Sequence, residues 1–477
     1  MDFRAEYEKW CTDPYFDEAT KAELKAIAGD DKEIEDRFYR TLEFGTAGLR
    51  GVIGAGTNRM NIYTVRQATQ GLANYILSQG EDAVKRGVAI AHDSRNMHDE
   101  FTDATALCLA ANGIKTYVFP QLAPVPELSY AVRTLGTIAG VVITASHNPR
   151  EYNGYKVYWE DGAQVTPPHD TSIMAEVAKV TSFDQVKTMD KAAAIEAGLY
   201  NVISDEVEEG YFGELRKLSI HPEIIKAMAK DIKIVYTPLH GTGLRPVQRV
   251  LKDMGFENVY IEPSQAVPDG NFPTCPYPNP ENPDADRLGV YCKDTKTGEY
   301  VTFTGNMSAM LIGEYILSQK SANGTLPEKP AFVESIVSTD MGKAIAAAYG
   351  VKHIEVLTGF KYIGEQMLKF EKTGCNNYVF GMEESYGCLI GTYARDKDAI
   401  SATAALCEAA AYYKEKGMTL WDAMVAMYEK YGYYKDTVKS IGLKGIEGLA
   451  KIQEIMENFR KNPLKALGGY EVTSIRD

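Results

Sequence analysis

Short apolar runs typical of buried strands alternate along the chain with segments whose apolar residues repeat at the helical period. This alternation predicts the order of strands and helices. Residues 1 to about 40 have the charged character of a helical lead-in. Short unbroken apolar runs at 87–91, 116–119 and 140–143 predict buried strands. A helix is predicted over a stripe of apolar residues near the 3.6-residue period: Val65, Ala68, Leu72, Tyr75 and Ile76. Strands alternating with helices indicate α/β domains on mixed or mainly parallel sheets, with helices on both faces.

The same alternation returns twice further along the chain. A charged helical segment near 205–230 precedes an apolar run at 232–236, and a helix from Pro246 ends at Gly255. A third unit begins near Gly305. We therefore predict boundaries that divide the chain into 1–205, 206–304, 305–440 and 441–477.

Composition narrows the functional classes. The 477 residues are 45% hydrophobic and 24% charged, as in ordinary globular proteins. The net charge of -14 argues against a nonspecific nucleic-acid binder, which needs a basic surface. The 7 cysteines are scattered without a CxxC pair, which favours reduced thiols. No signal-peptide pattern or membrane-length apolar run is seen, so we expect a cytoplasmic protein without a membrane partner.

The most informative motif directly follows the apolar run at 140–143. Its residues are Thr144, Ala145, Ser146, His147, Asn148 and Pro149. A hydroxyl here would lie at the carboxyl end of a strand, where open α/β sheets bind ligands. Acyl transfer is disfavoured, because the flanks are not Gly-x-Ser-x-Gly and Pro149 occupies the lysine position of SxxK. A serine that carries a phosphoryl group and a helix-capping turn serine both remain open.

Lys156 is close enough in sequence to share that site. It would act as a general acid or base if burial or neighbouring cations lowered its pKa. Alternation with Tyr155, Val157 and Trp159 also fits a surface lysine on a strand. The spacing leaves both interpretations open.

A second motif carries acidic residues at alternate positions of a turn, in the sequence from Asn282 to Arg287. Asp284 and Asp286 are hard oxygen ligands suited to Mg²⁺ or Ca²⁺. An EF-hand is excluded, because Arg287 stands where glycine is needed and Lys293 where the last glutamate is needed. A solvated acidic turn is the structural alternative.

Two further loops carry candidate binding groups. Arg50 lies in a glycine-rich passage that is neither a P-loop nor a dinucleotide fingerprint, and is a candidate phosphate clamp. Glu383 and Ser385 lie in a predicted glycine-bounded loop, residues 381–387, and together could bond adjacent sugar hydroxyls. An exposed turn arginine and an acidic helix N-terminus are the structural alternatives.

Together these motifs resemble the α-D-phosphohexomutase family, over nearly the whole chain and in the family's order. The loop at 144–149 is similar to its phosphoserine loop, 283–287 to its metal loop, and 381–385 to its sugar-recognition loop. The sequences at 153–159 and 359–364 are similar to the phosphoglucomutase-2/phosphopentomutase branch.

The resemblance implies a role for each motif. Ser146 would hold the phosphoryl group, with Mg²⁺ bound by Ser146, Asp284, Asp286 and Asn282. The implied catalytic residues are Ser146, Lys156 as general acid/base, Arg50 and His147. The implied substrate-binding residues are Glu383, Ser385, Thr358, Gly359, Lys397 and Arg287.

The implied reaction interconverts glucose 1-phosphate and glucose 6-phosphate, with a sugar 1,6-bisphosphate as activator and intermediate. Its pentose counterpart is a close alternative. The expected partner is a small sugar phosphate, not nucleic acid. A catalytically impaired homologue that binds sugar phosphates or a protein is a rival of another class. A serine hydrolase is a distant third, because no His-Asp relay can be placed around Ser146.

The chain departs from the family pattern in two places. Asn282 stands at the first acidic position of the metal loop and follows Glu281 directly, as though an internal helix and strand of the second domain were removed. No Ser-Gly-Thr-Glu-Pro type phosphate loop follows residue 441, so we expect 441–477 to begin a truncated fourth domain. The first departure predicts weaker Mg²⁺ binding, because an amide oxygen brings no charge, and the second predicts impaired turning of the intermediate.

Overall fold

A computed structural model describes residues 2–44, 48–276, 283–437, 441–443 and 445–475. The chain separates into two compact units, Met1–Tyr434 and Lys435–Asp477. Within the described ranges, no helix is both long and apolar enough to cross a bilayer.

Three short helices open the first unit, as the charged lead-in predicts: α1 (Phe3–Thr12), α2 (Glu18–Ala26) and α3 (Asp31–Phe38). Each starts at an aspartate whose side chain accepts hydrogen bonds from backbone amides of the first turn. They pack around Trp10, which is fully buried and stacks on Phe16 with 4.2 Å between ring centroids.

A six-stranded mixed sheet follows. Its elements in chain order are β1 (Leu49–Val52), α4 (Ile62–Ser78), α5 (Glu81–Arg86), β2 (Val88–His92), α6 (His98–Ala111), β3 (Thr116–Val118), α7 (Val125–Leu135), β4 (Ala139–Ile143), β5 (Tyr152–Trp159), α8 (His169–Lys179), α9 (Lys191–Glu196) and β6 (Tyr200–Val202). The strand order is β1-β5-β4-β2-β3-β6.

The two central strands explain the unbroken apolar runs. All five residues of β2 and all five of β4 are buried, because helices cover both faces of this sheet. β2 and β4 run parallel, whereas β5 is antiparallel to β4. The segment 144–151 is therefore the connection of a hairpin that starts beside the carboxyl end of β2.

Two small sheets follow in the next part of the unit. The elements are α10 (Asp205–Lys217), α11 (Pro222–Met228), β7 (Lys233–Tyr236), α12 (Leu244–Met254), β8 (Asn258–Ile261), β9 (Val290–Lys293) and β10 (Tyr300–Phe303). β7 pairs with β8 in parallel, and β9 pairs with β10 in antiparallel. The unusual join between Glu281 and Asn282 lies outside the described residues.

A four-stranded mixed sheet completes the first unit. Its elements are α13 (Gly305–Ala322), β11 (Pro330–Ser335), α14 (Met341–Ala348), β12 (Lys352–Val356), α15 (Phe360–Thr373), β13 (Asn377–Glu383), β14 (Gly387–Ile390), α16 (Ala399–Glu415) and α17 (Leu420–Tyr431). The strand order is β12-β11-β13-β14. The predicted fold class, mixed-sheet α/β with helices packed on the sheets, is confirmed.

One loop prediction is wrong. Residues 381–383, predicted as part of a loop, continue β13 and pair with β14. The hairpin partner Gly387–Ile390 supplies the hydrogen bonds that extend this strand. Gly381, which has no side chain, fits the buried position that it occupies in β13. The turn itself is only residues 384–386.

The second unit contains α18 (Gly445–Lys461) and a hairpin of β15 (Ala466–Leu467) and β16 (Tyr470–Glu471). Ile452, Ile455, Met456 and Phe459 repeat at helical spacing along α18, and each is more than a third exposed.

The packing of α4 on α8 yields a test of the fold. A methyl group on Gly71 would lie 2.6 Å from both the Cα and the N of Val177. We expect Gly71→Ala to lower the free energy of unfolding by about 1–3 kcal/mol, because backbone atoms must move apart. Urea denaturation measures this.

Gly213→Ala is the matched control, since the nearest atom to its added methyl group is Arg216 Nη2 at 3.9 Å. This helical substitution should raise stability by roughly 0.5–1 kcal/mol. Equal effects of the two substitutions would contradict the packing described.

Candidate active site

Ser146 lies in the hairpin connection between β4 and β5 and is only 2% exposed. Its φ of 51° is left-handed, which is uncommon for a residue other than glycine. Such a conformation persists only where surrounding contacts hold it. Those contacts come from the segment that follows β2.

Arg95 supplies most of them. Its side chain is fully buried, and its guanidinium donates hydrogen bonds to four backbone carbonyls, three in the hairpin connection and one at the first residue of β5. The acceptors are Ser146 and Asn148, each at 2.6 Å, and Pro149 and Tyr152, each at 2.9 Å. A planar group with five donors suits this task, because it fixes several acceptors at once.

Asp93 holds the other side of the connection. Its amide donates to the Ile143 carbonyl at 3.1 Å, and its carboxylate accepts from Thr144 Oγ1 at 2.6 Å. Thr144 Oγ1 in turn accepts from the amide of Ser146 at 2.9 Å. The end of β2 thus positions Ser146 through two side chains.

The Ser146 hydroxyl lies between a cation and an anion. Lys156 Nζ donates to Ser146 Oγ at 2.6 Å, and Ser146 Oγ donates to Asp284 Oδ2 at 2.8 Å. Lys156 Nζ is also 3.2 Å from Asp284 Oδ2. Lys156 is 4% exposed, so its interpretation as a surface lysine is wrong. All residues of β5 from Asn153 to Trp159 are buried, so both faces of the strand are covered at this position.

Asp284 belongs to the turn Pro283–Arg287, which is hereafter the acidic turn. Three elements hold its backbone: Thr242 donates to the Pro283 carbonyl, Val125 to the Asp284 carbonyl and Ala399 to the Ala285 carbonyl. Val125 and Ala399 are the first residues of α7 and α16, whose amides have no acceptor within their own helices. Gly241 allows the approach, since a Cβ there would lie 2.4 Å from the Pro283 carbonyl oxygen.

The acidic turn is suited to a hard cation. Asp284 and Asp286 are 0% and 2% exposed, and Asp284 Oδ1 is buried with no hydrogen-bond partner among the residues that the structure describes. An unpartnered buried carboxylate oxygen beside a hydroxyl is a donor set that Mg²⁺ accepts. These residues therefore fit the implied metal. Asn282, the remaining predicted ligand, lies outside the described residues.

Lys397 connects the acidic turn to the region of the four-stranded sheet. Its Nζ is 3.3 Å from Asp286 Oδ2 and 2.9 Å from Asp396 Oδ1, and Tyr158 of β5 donates to Asp396 Oδ2 at 2.7 Å. Burial alone lowers the pKa of Lys397, but Asp286, Asp396 and Glu383 together raise it well above its ordinary value. Lys397 is therefore a fixed positive charge.

Glu383, at the end of β13, shares this electrostatic environment. Burial raises the pKa of its carboxyl above the ordinary value, and Lys397 opposes that change. Arg287 is close enough to both Glu383 and His147 for its charge to lower the pKa of each. Burial, Arg287 and Arg50 lower the pKa of His147 to about 4, which makes its imidazole neutral near pH 7.

The remaining predicted residues lie at the edges of the same region. Arg50, on β1, donates to Asn148 Oδ1 at 3.4 Å. Thr358 is exposed and Gly359 half-buried, directly before Phe360, whose ring centroid is 5.5 Å from Lys397 Nζ. Ser385 lies half-buried in the turn between β13 and β14.

Four residues that position this site were not identified from the sequence: Asp93, Arg95, Tyr158 and Asp396. A signal for the first two was present: polar residues directly follow the buried run at 88–92, at the same sheet edge as the motif after 140–143. No comparable signal marks Tyr158 or Asp396, because their contact joins segments 238 residues apart.

Family models match three stretches of the chain: alpha/beta/alpha domains I, II and III of phosphoglucomutase/phosphomannomutase, at residues 41–184, 209–285 and 304–431. A phosphoglucomutase of Staphylococcus aureus is 33% identical over 495 aligned residues, covering 97% of this chain and 85% of that protein. The chain belongs to this family, within the α-D-phosphohexomutase superfamily. A probable phosphoribomutase of Schizosaccharomyces pombe is also 33% identical, covering 97% of this chain and 82% of that protein.

Solved structures of this family share the fold. The crystal structure of a putative phosphomannomutase from Thermus thermophilus superposes with a TM-score of 0.65 at 22% identity, covering 85% of this chain and 89% of that one. The phosphoglucomutase parafusin from Paramecium, in its open form, gives 0.64 at 19% identity, covering 89% and 80%.

The contacts of Arg95 predict a positioning role. Arg95→Lys keeps the charge but loses the fork that bonds four carbonyls, and each lost buried hydrogen bond costs about 1–3 kcal/mol. We expect faster amide exchange across residues 144–152, measured by hydrogen–deuterium exchange with mass spectrometry.

Arg86→Lys is the control, because Arg86 also donates to two carbonyls, those of Gly136 and Thr137, away from Ser146. It should leave exchange at 144–152 unchanged. If both variants exchange alike, Arg95 does not hold the connection.

Glu127 of α7 predicts a pH dependence of stability. Its side chain is 1% exposed, and neither carboxyl oxygen has a hydrogen-bond partner in the described part of the chain. Burial, together with nearby Glu208, raises its pKa to about 8. Between the ordinary pKa and this value, the unfolded chain loses the proton while the folded chain keeps it. Stability should therefore fall by a few kcal/mol, at roughly 1.4 kcal/mol per pKa unit at most, as pH rises from about 5 to 8.

Glu127→Gln removes the titration, so this variant should lose less stability than wild type between pH 5 and pH 8.5 in urea denaturation. Glu81→Gln is the control, since that side chain is 92% exposed. A wild-type pH profile unchanged by Glu127→Gln would show that Glu127 is already ionised in the folded protein.

Proposed function

We propose that this protein is a phosphosugar mutase that interconverts glucose 1-phosphate and glucose 6-phosphate through a phosphorylated Ser146. One observation carries the proposal: Ser146 Oγ lies 2.6 Å from Lys156 Nζ and 2.8 Å from Asp284 Oδ2 in one buried site. The names of its relatives support the same reaction class.

Phosphoryl transfer depends mainly on positioning and charge stabilisation, and the site offers both. In the first transfer, phosphorus bonds to a sugar hydroxyl oxygen as its bond to Ser146 Oγ breaks. The sugar hydroxyl loses one proton and Oγ gains one. Lys156 is the group we assign to carry that proton, because its Nζ is within hydrogen-bond distance of Oγ.

Asp284, Asp286 and Ser146 would hold Mg²⁺, with Asn282 completing the predicted set. The ion would supply charge neutralisation for the phosphoryl oxygens. Arg50 and His147 flank the serine, and the neutral imidazole of His147 offers a hydrogen bond without adding charge.

The sugar would bind on the side of the four-stranded sheet. Glu383 and Ser385 are assigned to sugar hydroxyls, Lys397 and Arg287 to anionic groups, and Thr358 and Gly359 to the rim. A sugar 1,6-bisphosphate would form, turn around and return its other phosphoryl group to Ser146. Boundaries near residues 205, 305 and 440 belong to the same proposal.

A pentose substrate is the second candidate. The yeast relative named as a probable phosphoribomutase favours it, at the same 33% identity as the bacterial phosphoglucomutase. Both candidates use the same chemistry at Ser146. They differ in the sugar that Glu383 and Ser385 would contact.

We predict that Ser146 gains one phosphoryl group when the protein is incubated with glucose 1,6-bisphosphate and Mg²⁺. Intact-mass spectrometry and peptide mapping measure this. Ser146→Ala should gain none. Ser94→Ala is the matched control, because Ser94 is also buried beside Arg95 and its hydroxyl has no hydrogen-bond partner; it should be phosphorylated like wild type.

An unmodified wild-type protein would refute the catalytic proposal and favour a homologue that only binds sugar phosphates. Phosphorylation without conversion of glucose 1-phosphate would place the defect in turning the intermediate. Competition between glucose 1-phosphate and ribose 1-phosphate for the phosphorylated protein then separates the two candidate substrates.

A further inference from the structure

A cavity of about 700 Å³ lies between β7 and β9, away from Ser146. Consecutive residues 231–239 line one wall, and residues 287–293 line the opposite wall. The floor is α16, through residues that include Leu406, Cys407 and Ala410. We call this cavity the interstrand groove.

The groove faces the edges of two strands. In the described part of the chain, β7 pairs with β8 alone and β9 with β10 alone, so each has an edge without a strand partner. The face of a sheet presents only alternate residues of a strand, whereas its edge presents every residue. Because consecutive residues line each wall, the groove lies against the edges of the two strands. Open edges of this kind bind extended chains through backbone hydrogen bonds.

Along both walls of the groove, more buried side chains alternate with exposed ones. Val290 and Cys292 are buried, whereas Tyr291 is 69% exposed; on β7, Ile234 is half-buried and Val235 is 72% exposed. A strand inserted between them would place alternate side chains on α16 and the others between Val235 and Tyr291. Both positions favour apolar or β-branched side chains.

The charges of the groove indicate which charged residues a bound strand should carry beside its apolar positions. The charged lining residues are Lys233, Arg287, Lys293, Lys414 and Asp231, four cations and one anion. This is a local reversal of sign in a chain of net charge -14. Acidic residues around the apolar positions would therefore be attracted, and a basic segment would be repelled.

We propose that the interstrand groove binds an extended acidic segment of another protein, which adds a strand between β7 and β9. The proposal does not depend on the assigned reaction, because Ser146 and Lys156 take no part in it. Ala285 and Arg287 belong both to the groove lining and to the acidic turn, so a bound segment would also contact that turn.

The test uses a fluorescein-labelled probe peptide, Glu-Val-Thr-Val-Glu-Ile-Thr-Val-Glu, titrated with the whole protein in a fluorescence anisotropy assay. A second peptide replaces each Glu with Lys. The acidic peptide should bind and the basic one should not. Hydrogen–deuterium exchange should slow at residues 231–239 and 287–293 when the acidic peptide is bound.

Lys233→Glu/Lys293→Glu reverses two exposed charges of the groove. We expect this variant to bind the acidic peptide roughly tenfold or more weakly and to gain binding of the basic peptide. Lys343→Glu/Lys369→Glu, two exposed lysines elsewhere, is the matched control and should behave like wild type. Both double variants change the net charge equally, so they separate a local effect from a general one.

Three results would overturn the proposal. Equal loss of binding in both double variants would mean general charge attraction. Slower exchange only outside residues 231–239 and 287–293 would place the peptide elsewhere. No anisotropy change with the acidic peptide, together with self-association through β7 and β9, would identify a second copy as the occupant instead of another protein.

Discussion

The candidate site depends on one buried carboxylate. Asp284 is completely excluded from solvent, and a buried charge costs several kcal/mol unless partners compensate it. Its Oδ2 accepts hydrogen bonds from Ser146 and Lys156 and lies 3.1 Å from the Thr144 hydroxyl, whose proton is donated to Asp93; these three residues belong to the distant β4–β5 hairpin. Among the described residues, none donates a hydrogen bond to its Oδ1. Hydrogen bonds and the Lys156 charge therefore compensate the buried carboxylate at Oδ2 only. A cation bound at Oδ1 would complete the compensation of its charge.

Helix ends and backbone carbonyls place that carboxylate. The acidic turn offers its carbonyls to the first amides of α7 and α16, which would otherwise lack acceptors. The hairpin connection offers three carbonyls, and the first residue of β5 a fourth, to the guanidinium of Arg95. In both cases, donors that would otherwise be unsatisfied form hydrogen bonds with backbone carbonyls of another segment. The positions of Ser146 and Asp284 are therefore set by backbone contacts, with their side chains left available for chemistry.

The predictions from sequence succeeded where local pattern decides structure. The buried runs of β2 and β4, the stripe of α4 and the limits of α12 follow from periodicity, proline and glycine. The positions of Ser146 after a strand and of Asp284 and Asp286 in a turn follow similarly. Residues 381–383 were mistaken for loop because their strand pairing is supplied by β14, and glycine normally disfavours strands.

By itself, the sequence determined the α/β class, the motifs and the chemical groups available at each strand end, because these depend on contacts between near neighbours. Only the tertiary structure decided that Lys156 is buried and that Arg95 holds the Ser146 backbone. It also decided that Lys397 joins Asp286 to Asp396. These contacts cross 51 residues for Arg95 and Ser146 and 128 for Lys156 and Asp284. No local period encodes such a contact, because it exists only when packing brings the segments together.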